Sequence, residues 1–427
     1  MNAPQRMVVV GADAAGMSAA HQALRGAARR GRKLDVVVLE KTQHTSYSAC
    51  GIPYWVAGDV DAPDRLLARS VQQHRDMGID LRMGATATAL DLDARAVSYL
   101  DETGCVQRVP FDDLVLATGA APIVPAWARD ADGALHPDVH PLKNLDDGAR
   151  WLDLLGVTAV RAEPGHAVVV GGGYIGVEMA EALIRRGWQA TLITRSRVMS
   201  SLDPDMSQRL ETAMTEVGVE VITDSAVTSL ERRADGTLAR VCTADGRAFP
   251  ADLVALAMGV APASALGATA GLPVGKAGGY LADETGRLAP SVWAAGDCCE
   301  ARHRLTGEFV FIPLGTHANK QGRVVGENLT GGDVTFDGVL GTAITRFVAG
   351  TRHVEVSRVG LSTAEAAAAG IEVTSMVTEG RTASGYMPEA SPMATKVLAE
   401  PGTRRLLGLQ IVGGHGSGKR VDTAAAA

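Results

Sequence analysis

Met7-Val8-Val9-Val10-Gly11-Ala12-Asp13-Ala14-Ala15-Gly16-Met17-Ser18-Ala19-Ala20 is the stretch that decides the fold. Its four leading apolar residues read as a buried strand, Gly11 to Gly16 as a tight turn, and Met17 to Leu24 as a helix. A strand that turns sharply into a helix leaves the helix's first N–H groups aimed at open space, where a pyrophosphate can settle. Asp13 stands where such turns usually carry their middle glycine, which crowds the closest backbone approach to the phosphate. A second apolar run, Val36-Val37-Val38-Leu39, ends in Glu40. That acid follows Gly16 at close to the offset of about 20 residues at which a carboxylate meets a ribose hydroxyl.

The same grammar returns at Ala167-Val168-Val169-Val170, followed by Gly171-Gly172-Gly173-Tyr174-Ile175-Gly176, a helix from Val177 to Arg186 and a strand Ala190-Thr191-Leu192-Ile193. One glycine turn is weak evidence; two in register imply two dinucleotides bound by one chain. Between them Asp113 to Ala120, containing Thr118-Gly119, reads as a buried strand closing on glycine, and Asp252 to Gly259 is its twin. From about Gly332 the texture changes to short β-branched segments, Thr342 to Phe347 and Glu355 to Val359, with an Ala-rich helix near Thr363 to Ala369. This is an α+β third domain without a dinucleotide signature.

Composition agrees. A chain of 427 residues that is 46% hydrophobic and 21% charged is too long for one core and too apolar to be disordered. Its net charge of −7 excludes the broad basic surface that nucleic acid requires. The one dense basic run, Arg29-Arg30-Gly31-Arg32-Lys33, reads as a solvated helix end. Asp13 and the glycines interrupt any leader-like apolar segment at the start, and Leu253 to Gly275, the longest uncharged stretch, is too rich in Gly, Ala, Pro and Thr to span a membrane. The 5 cysteines, Cys50, Cys105, Cys242, Cys298 and Cys299, form no CxxC pair and no disulfide framework, which fits a reducing cytoplasm. No metal-ligand spacing is present.

Trp293-Ala294-Ala295-Gly296-Asp297 adds a carboxylate at a strand end late in the chain. With it, the order GADAAG, LATGA, GGGYIGVE, AAGD resembles the flavoprotein disulfide reductases over essentially the whole chain. The resemblance implies an α/β protein like glutathione reductase, with two Rossmann-like domains and a C-terminal α+β dimerisation domain. FAD would be held by residues 1–145 and 276–331, NAD(P)H by 146–275, and a homodimer would form through 332–427. It further implies FAD contacts at Gly11, Ala14, Ala15, Gly16, Glu40, Lys41, Ser48, Thr118, Gly119, Gly296 and Asp297. NAD(P)H would lie on Gly171, Gly173, Tyr174, Ile175 and Gly176, with Glu178 one helical turn on, and Tyr174 would cover the flavin until coenzyme displaces it.

Ser46-Tyr47-Ser48-Ala49-Cys50-Gly51-Ile52-Pro53-Tyr54-Trp55 narrows the subfamily. Dithiol members carry a second cysteine where Trp55 stands, so Cys50 must work alone. The segment is similar to the single-cysteine branch of coenzyme A-disulfide reductases, coenzyme A persulfide reductases and NAD(P)H oxidases or peroxidases. Peroxidases and many oxidases have His at the position of Ala14; its absence tilts the expectation toward reduction of a small disulfide such as coenzyme A disulfide. An oxidase in which Cys50 cycles through a sulfenate, and a flavin redox sensor without turnover, are the alternatives. Ser46 matches a serine that contacts coenzyme A, Arg25 an arginine near its phosphates, and Tyr386 a tyrosine that a dimer partner lends to the thiol. Arg195 and Arg197 follow the strand where an NADH enzyme would present an acid, which favours NADPH over NADH.

Overall fold

The computed structural model describes residues 4–156 and 164–427. The chain divides into two compact units, one of Met1–Ser48, Leu66–Ala121 and Val260–Val339, the other of Ala49–Arg65, Pro122–Gly259 and Leu340–Ala427.

In the first unit the strand Gln5–Val10 lies between Leu34–Glu40 and Asp113–Leu116, both parallel to it. Ile79–Met83 extends the sheet on one side; Val292–Ala294 and then the antiparallel Arg287–Ala289 extend it on the other. Met7, Val8 and Val9 are fully buried, as a central parallel strand covered on both faces requires. Each such side chain contributes about 1.5–3 kcal/mol of burial. The apolar run expected to be a buried strand is therefore sheet core. The helix Ala14–Arg29 follows the turn and runs beyond Leu24. Its basic end is exposed, with Arg29 and Arg30 both paired to Glu327.

That helix packs against Gly315–Leu329 at backbone contact distance. A Cβ on Gly322 would lie 2.3 Å from the Ala15 carbonyl oxygen, and one on Gly326 would lie 2.3 Å from that of Ala19. Only glycines opposite small residues permit this crossing, and the Gly-xxx-Gly spacing puts both on one helix face.

The second unit repeats the parallel design, in the order Glu220–Ile222, Gln189–Ile193, His166–Val170, Leu253–Leu256, Val139–Pro141. It also holds an antiparallel sheet ordered Ala343–Ala349, Arg352–Gly360, Leu406–Gly413, Pro392–Ala399, Thr374–Arg381. This sheet and the helix Thr363–Ala368 make up the α+β segment expected after Gly332. Among the described residues no helix is long and apolar enough to cross a membrane.

Candidate nucleotide cradles and thiol segment

The first glycine turn is built by the protein's own crowding. Gly11 has φ +106°, and a Cβ there would meet the Ala117 carbonyl oxygen at 2.1 Å; a Cβ on Gly16 would meet the Gly11 carbonyl oxygen at 1.9 Å. Neither position accepts another residue without moving backbone. Glu40 is buried at the end of its strand: the Ala12 N–H donates to its Oε2 at 2.9 Å, and the Thr42 N–H and hydroxyl donate to its Oε1 at 2.8 Å. The carboxylate thus braces the turn, and Oε2 keeps a lone pair for a further donor. Ala14 is half-buried and Ala15 buried, while Lys41 and Ser48 are exposed. Across the sheet Thr118 donates to the Ala263 carbonyl at 2.6 Å beside Gly119 at φ +69°. Gly296, at φ +87°, abuts Ala15 and donates its N–H to Gln321 Oε1 at 2.8 Å, and Asp297 follows in a turn with no helix behind it to cap.

The second turn has the same construction, with Gly171 at φ +116° against the Ala257 carbonyl oxygen (2.1 Å to a built Cβ) and Gly176 against that of Gly171 (1.9 Å). Gly173 differs: a Cβ there would meet no protein atom within 4 Å, and its φ is −82°. Nothing in the protein crowds that place, so the backbone there is open to close approach by a ligand. Both cradles fit a dinucleotide, and the first does so with the Asp13 side chain where the second has none.

Past the second turn the helix Tyr174–Arg185 opens with half-buried Tyr174 and Ile175 and carries Glu178, 7% exposed. Glu178 accepts from the Thr345 hydroxyl at 2.7 Å and the Tyr54 hydroxyl at 3.2 Å. Among the described residues no Lys or Arg pairs with it, and burial pushes its carboxyl up to about 7. Arg195 is exposed and lines a cavity of about 380 Å³ with Asp224, Ser225, Ala226, Ala244 and Asp245, the last already paired with Arg247 at 2.6 Å. Arg197 is half-buried, and its Nε has no hydrogen-bond partner among the described residues.

Cys50 is exposed, in the 3-10 turn Ala49–Gly51 that opens into the helix Ile52–Ala57. Trp55, at the position of a second cysteine in dithiol enzymes, is instead a buried anchor packed against Gly148. Tyr54 reaches Glu178, the Arg186 Nε donates to the Val56 carbonyl at 2.8 Å, and Arg185 pairs with Asp59 at 2.6 Å, so the thiol segment and the residues just after it are bonded to the coenzyme helix. The Arg346 guanidinium lies 4.7 Å from the Tyr54 ring centre, which with the buried Glu178 carboxyl completes the setting of the phenol. In the first unit Ser46 sits at φ +49° and hydrogen-bonds His74, and exposed Arg25 donates to Gln22 at 2.8 Å. Tyr386 is 85% exposed in the loop before Pro392–Ala399.

Sequence reading did not find Tyr54, Thr345, His21 or His74. Tyr54 had a signal, since it follows Cys50 by one helical turn; the others had none, because their partners are distant in the chain.

Two nucleotide cradles and a cysteine-bearing segment tied to the second define a pyridine-nucleotide flavoprotein. The chain belongs to the pyridine nucleotide-disulphide oxidoreductase family, whose model matches residues 5–322, with the family's dimerisation domain matching 349–427. It is similar to the NAD(P)H coenzyme A polysulfide/persulfide reductase of Pyrococcus horikoshii, 34% identical over 100% of this chain and 91% of that protein. An NADH oxidase of Methanocaldococcus jannaschii is 28% identical over 98% of this chain and 89% of its own length. Among solved structures, reduced CoADR-RHD of Bacillus anthracis superposes with a TM-score of 0.90 at 28% identity, covering 100% of this chain and 74% of that one. The protein is an FAD-dependent NAD(P)H oxidoreductase.

Proposed function

We propose that this enzyme reduces coenzyme A disulfide, or a related small disulfide or persulfide, through a mixed disulfide on Cys50. The observation that carries the reading is the bonding of the exposed Cys50 segment to the coenzyme helix through Tyr54 and Glu178. The Cys50 thiolate attacks the substrate disulfide, forming Cys50–S–S–R and expelling one thiolate, which takes a proton from solvent. FAD, held by the first cradle and the Gly296–Asp297 turn, supplies when bound the two-electron relay from NAD(P)H to sulfur. The balance is one NAD(P)H, one proton and one disulfide giving NAD(P)⁺ and two thiols. Glu178 carries a proton near neutrality beside the coenzyme turn, and Tyr54 and Thr345 fix its orientation.

Arg195 and Arg197 support NADPH, since two guanidiniums after the strand Gln189–Ile193, one with an Nε that finds no partner among the described residues, suit a 2′-phosphate. Ser46 and Arg25 are the contacts assigned to the substrate's coenzyme A moiety. The dimerisation domain supports a homodimer in which the partner lends Tyr386, working in the cytoplasm. The three domains are assigned to 1–145 with 276–331, 146–275 and 332–427.

The test is anaerobic NADPH oxidation by wild type and Cys50→Ser with coenzyme A disulfide, beside an aerobic control without it. Disulfide-dependent turnover lost in the variant is the expected result. Oxygen-dependent turnover indifferent to the disulfide would overturn the reading in favour of an oxidase, and no turnover with any acceptor would point to a sensor.

A further inference from the structure

Ser46 ends a hydrogen-bonded chain that the chemistry above leaves unused. His74 Nε2 lies 3.0 Å from Ser46 Oγ, and His74 Nδ1 lies 2.9 Å from His21 Nε2. His74 is fully buried, His21 half-buried. The chain is held from both ends. His74 rides on the helix Val71–Asp76, whose start is fixed by a reciprocal cap between Ser70 and Gln73. Ser46, at φ +49°, receives the Ala68 N–H on its carbonyl at 2.7 Å and donates its own N–H to the Ala12 carbonyl at 3.3 Å. A non-glycine residue held in the left-handed region is oriented by its surroundings.

Two ring nitrogens 2.9 Å apart share a proton, and a neutral imidazole has one to give. With that proton on His74 Nδ1, the ring donates to His21 and must accept the Ser46 hydroxyl, which then offers only lone pairs outward. With it on Nε2, His21 donates to His74, His74 donates to Ser46, and the Ser46 O–H points outward as a donor. The charged groups facing the pair are the Arg69 and Arg25 guanidiniums at His21 and Arg69 at His74; with burial they hold both rings neutral.

We propose that His74, backed by His21, is a positioning residue that sets Ser46 as a hydrogen-bond donor toward an acceptor oxygen of the docked thiol carrier. A carrier built from phosphoryl and amide groups presents acceptors, and so selects the outward-donating arrangement. This rests on the reading of Ser46 as a contact for coenzyme A.

The experiment is a double-mutant cycle on His74→Leu and Ser46→Ala, read as KM and kcat for coenzyme A disulfide with melting temperatures alongside. His74→Leu raises KM about tenfold with kcat within about twofold, His74→Gln recovers part of the loss through its amide N–H, and His74→Leu adds nothing in the Ser46→Ala background. Should His74→Leu fail to fold, His21→Leu breaks the chain from its more exposed end and gives a smaller KM rise that also vanishes with Ser46→Ala. An unchanged KM in a folded variant, or the same factor in both backgrounds, overturns the proposal. If wild type ignores coenzyme A disulfide, the acceptor reading fails alone, and the cycle is read on the dissociation constant of coenzyme A; absence of coenzyme A binding overturns the relay as well.

Discussion

Replacing Glu178 with Gln should remove a pH dependence from the protein's stability. The carboxyl is 7% exposed and, among the described residues, receives two hydroxyls. Burial raises it from 4.5 to about 7. In the unfolded chain it titrates near 4.5, so between that pH and 7 the folded state holds a proton that the unfolded state has released. The associated stability is complete below the unfolded value and is lost as pH rises through the folded one. At about 1.4 kcal/mol per pH unit the full displacement is worth about 3 kcal/mol. Gln is neutral throughout, and its amide fits the same two hydroxyls, since each can rotate to donate or accept. Denaturant unfolding of wild type and Glu178→Gln at pH 5.5 and 8.5 measures the difference: the variant should be more stable by about 1.4 kcal/mol at the lower pH, one unit above the unfolded value, and by about 3 kcal/mol at the higher. Parallel profiles would refute the argument, because they would mean that a buried carboxyl with no directly paired cation ionises at no extra cost.

The two kinds of glycine in the second turn should separate cleanly. Gly171→Ala forces a Cβ to 2.1 Å from a carbonyl oxygen and should lower stability by about 3 kcal/mol or more, read by thermal melting. Gly173→Ala meets no protein atom within 4 Å, so melting should be unchanged while KM for the coenzyme rises about five- to tenfold, read by steady-state kinetics. Arg195→Ser with Arg197→Ser should lower kcat/KM for NADPH about tenfold and leave NADH within about twofold; equal losses with both coenzymes would contradict a 2′-phosphate role. Gly322→Leu should wedge apart the two helices of the first unit, lowering the melting temperature and the FAD content of purified protein, the latter measured by absorbance at flavin wavelengths.

The nucleotide cradles were legible because their glycines answer to backbone collisions a few residues away, and such local demands write themselves into short motifs. The segment of Cys50 stands out in the sequence for a related reason: Trp55, in the place of a second thiol, sits in the same short stretch. The surroundings of Glu178 were not. Its bonds to Tyr54 and Thr345 join residues 124 and 167 apart in sequence, and a lone Thr in an antiparallel strand looks like any other. The His21–His74–Ser46 chain spans 53 and 28 residues, with each member on a different element, so no periodicity announces it. Sequence spacing reports what one element does; pairings between elements wait for the fold.

Where the helices Ala14–Arg29 and Gly315–Leu329 cross, Gly322 and Gly326 rest directly on the Ala15 and Ala19 carbonyls, flanked by the side-chain bonds of Ser18 to Asn319 and Gln22 to Glu327. Those two glycine contacts cannot be retuned by swapping rotamers, so drift in sequence has no small steps available at Gly322 and Gly326: the residue either stays minimal or the crossing opens. Anyone grafting a new specificity onto this scaffold can therefore vary the exposed surfaces freely, provided this seam is copied atom for atom.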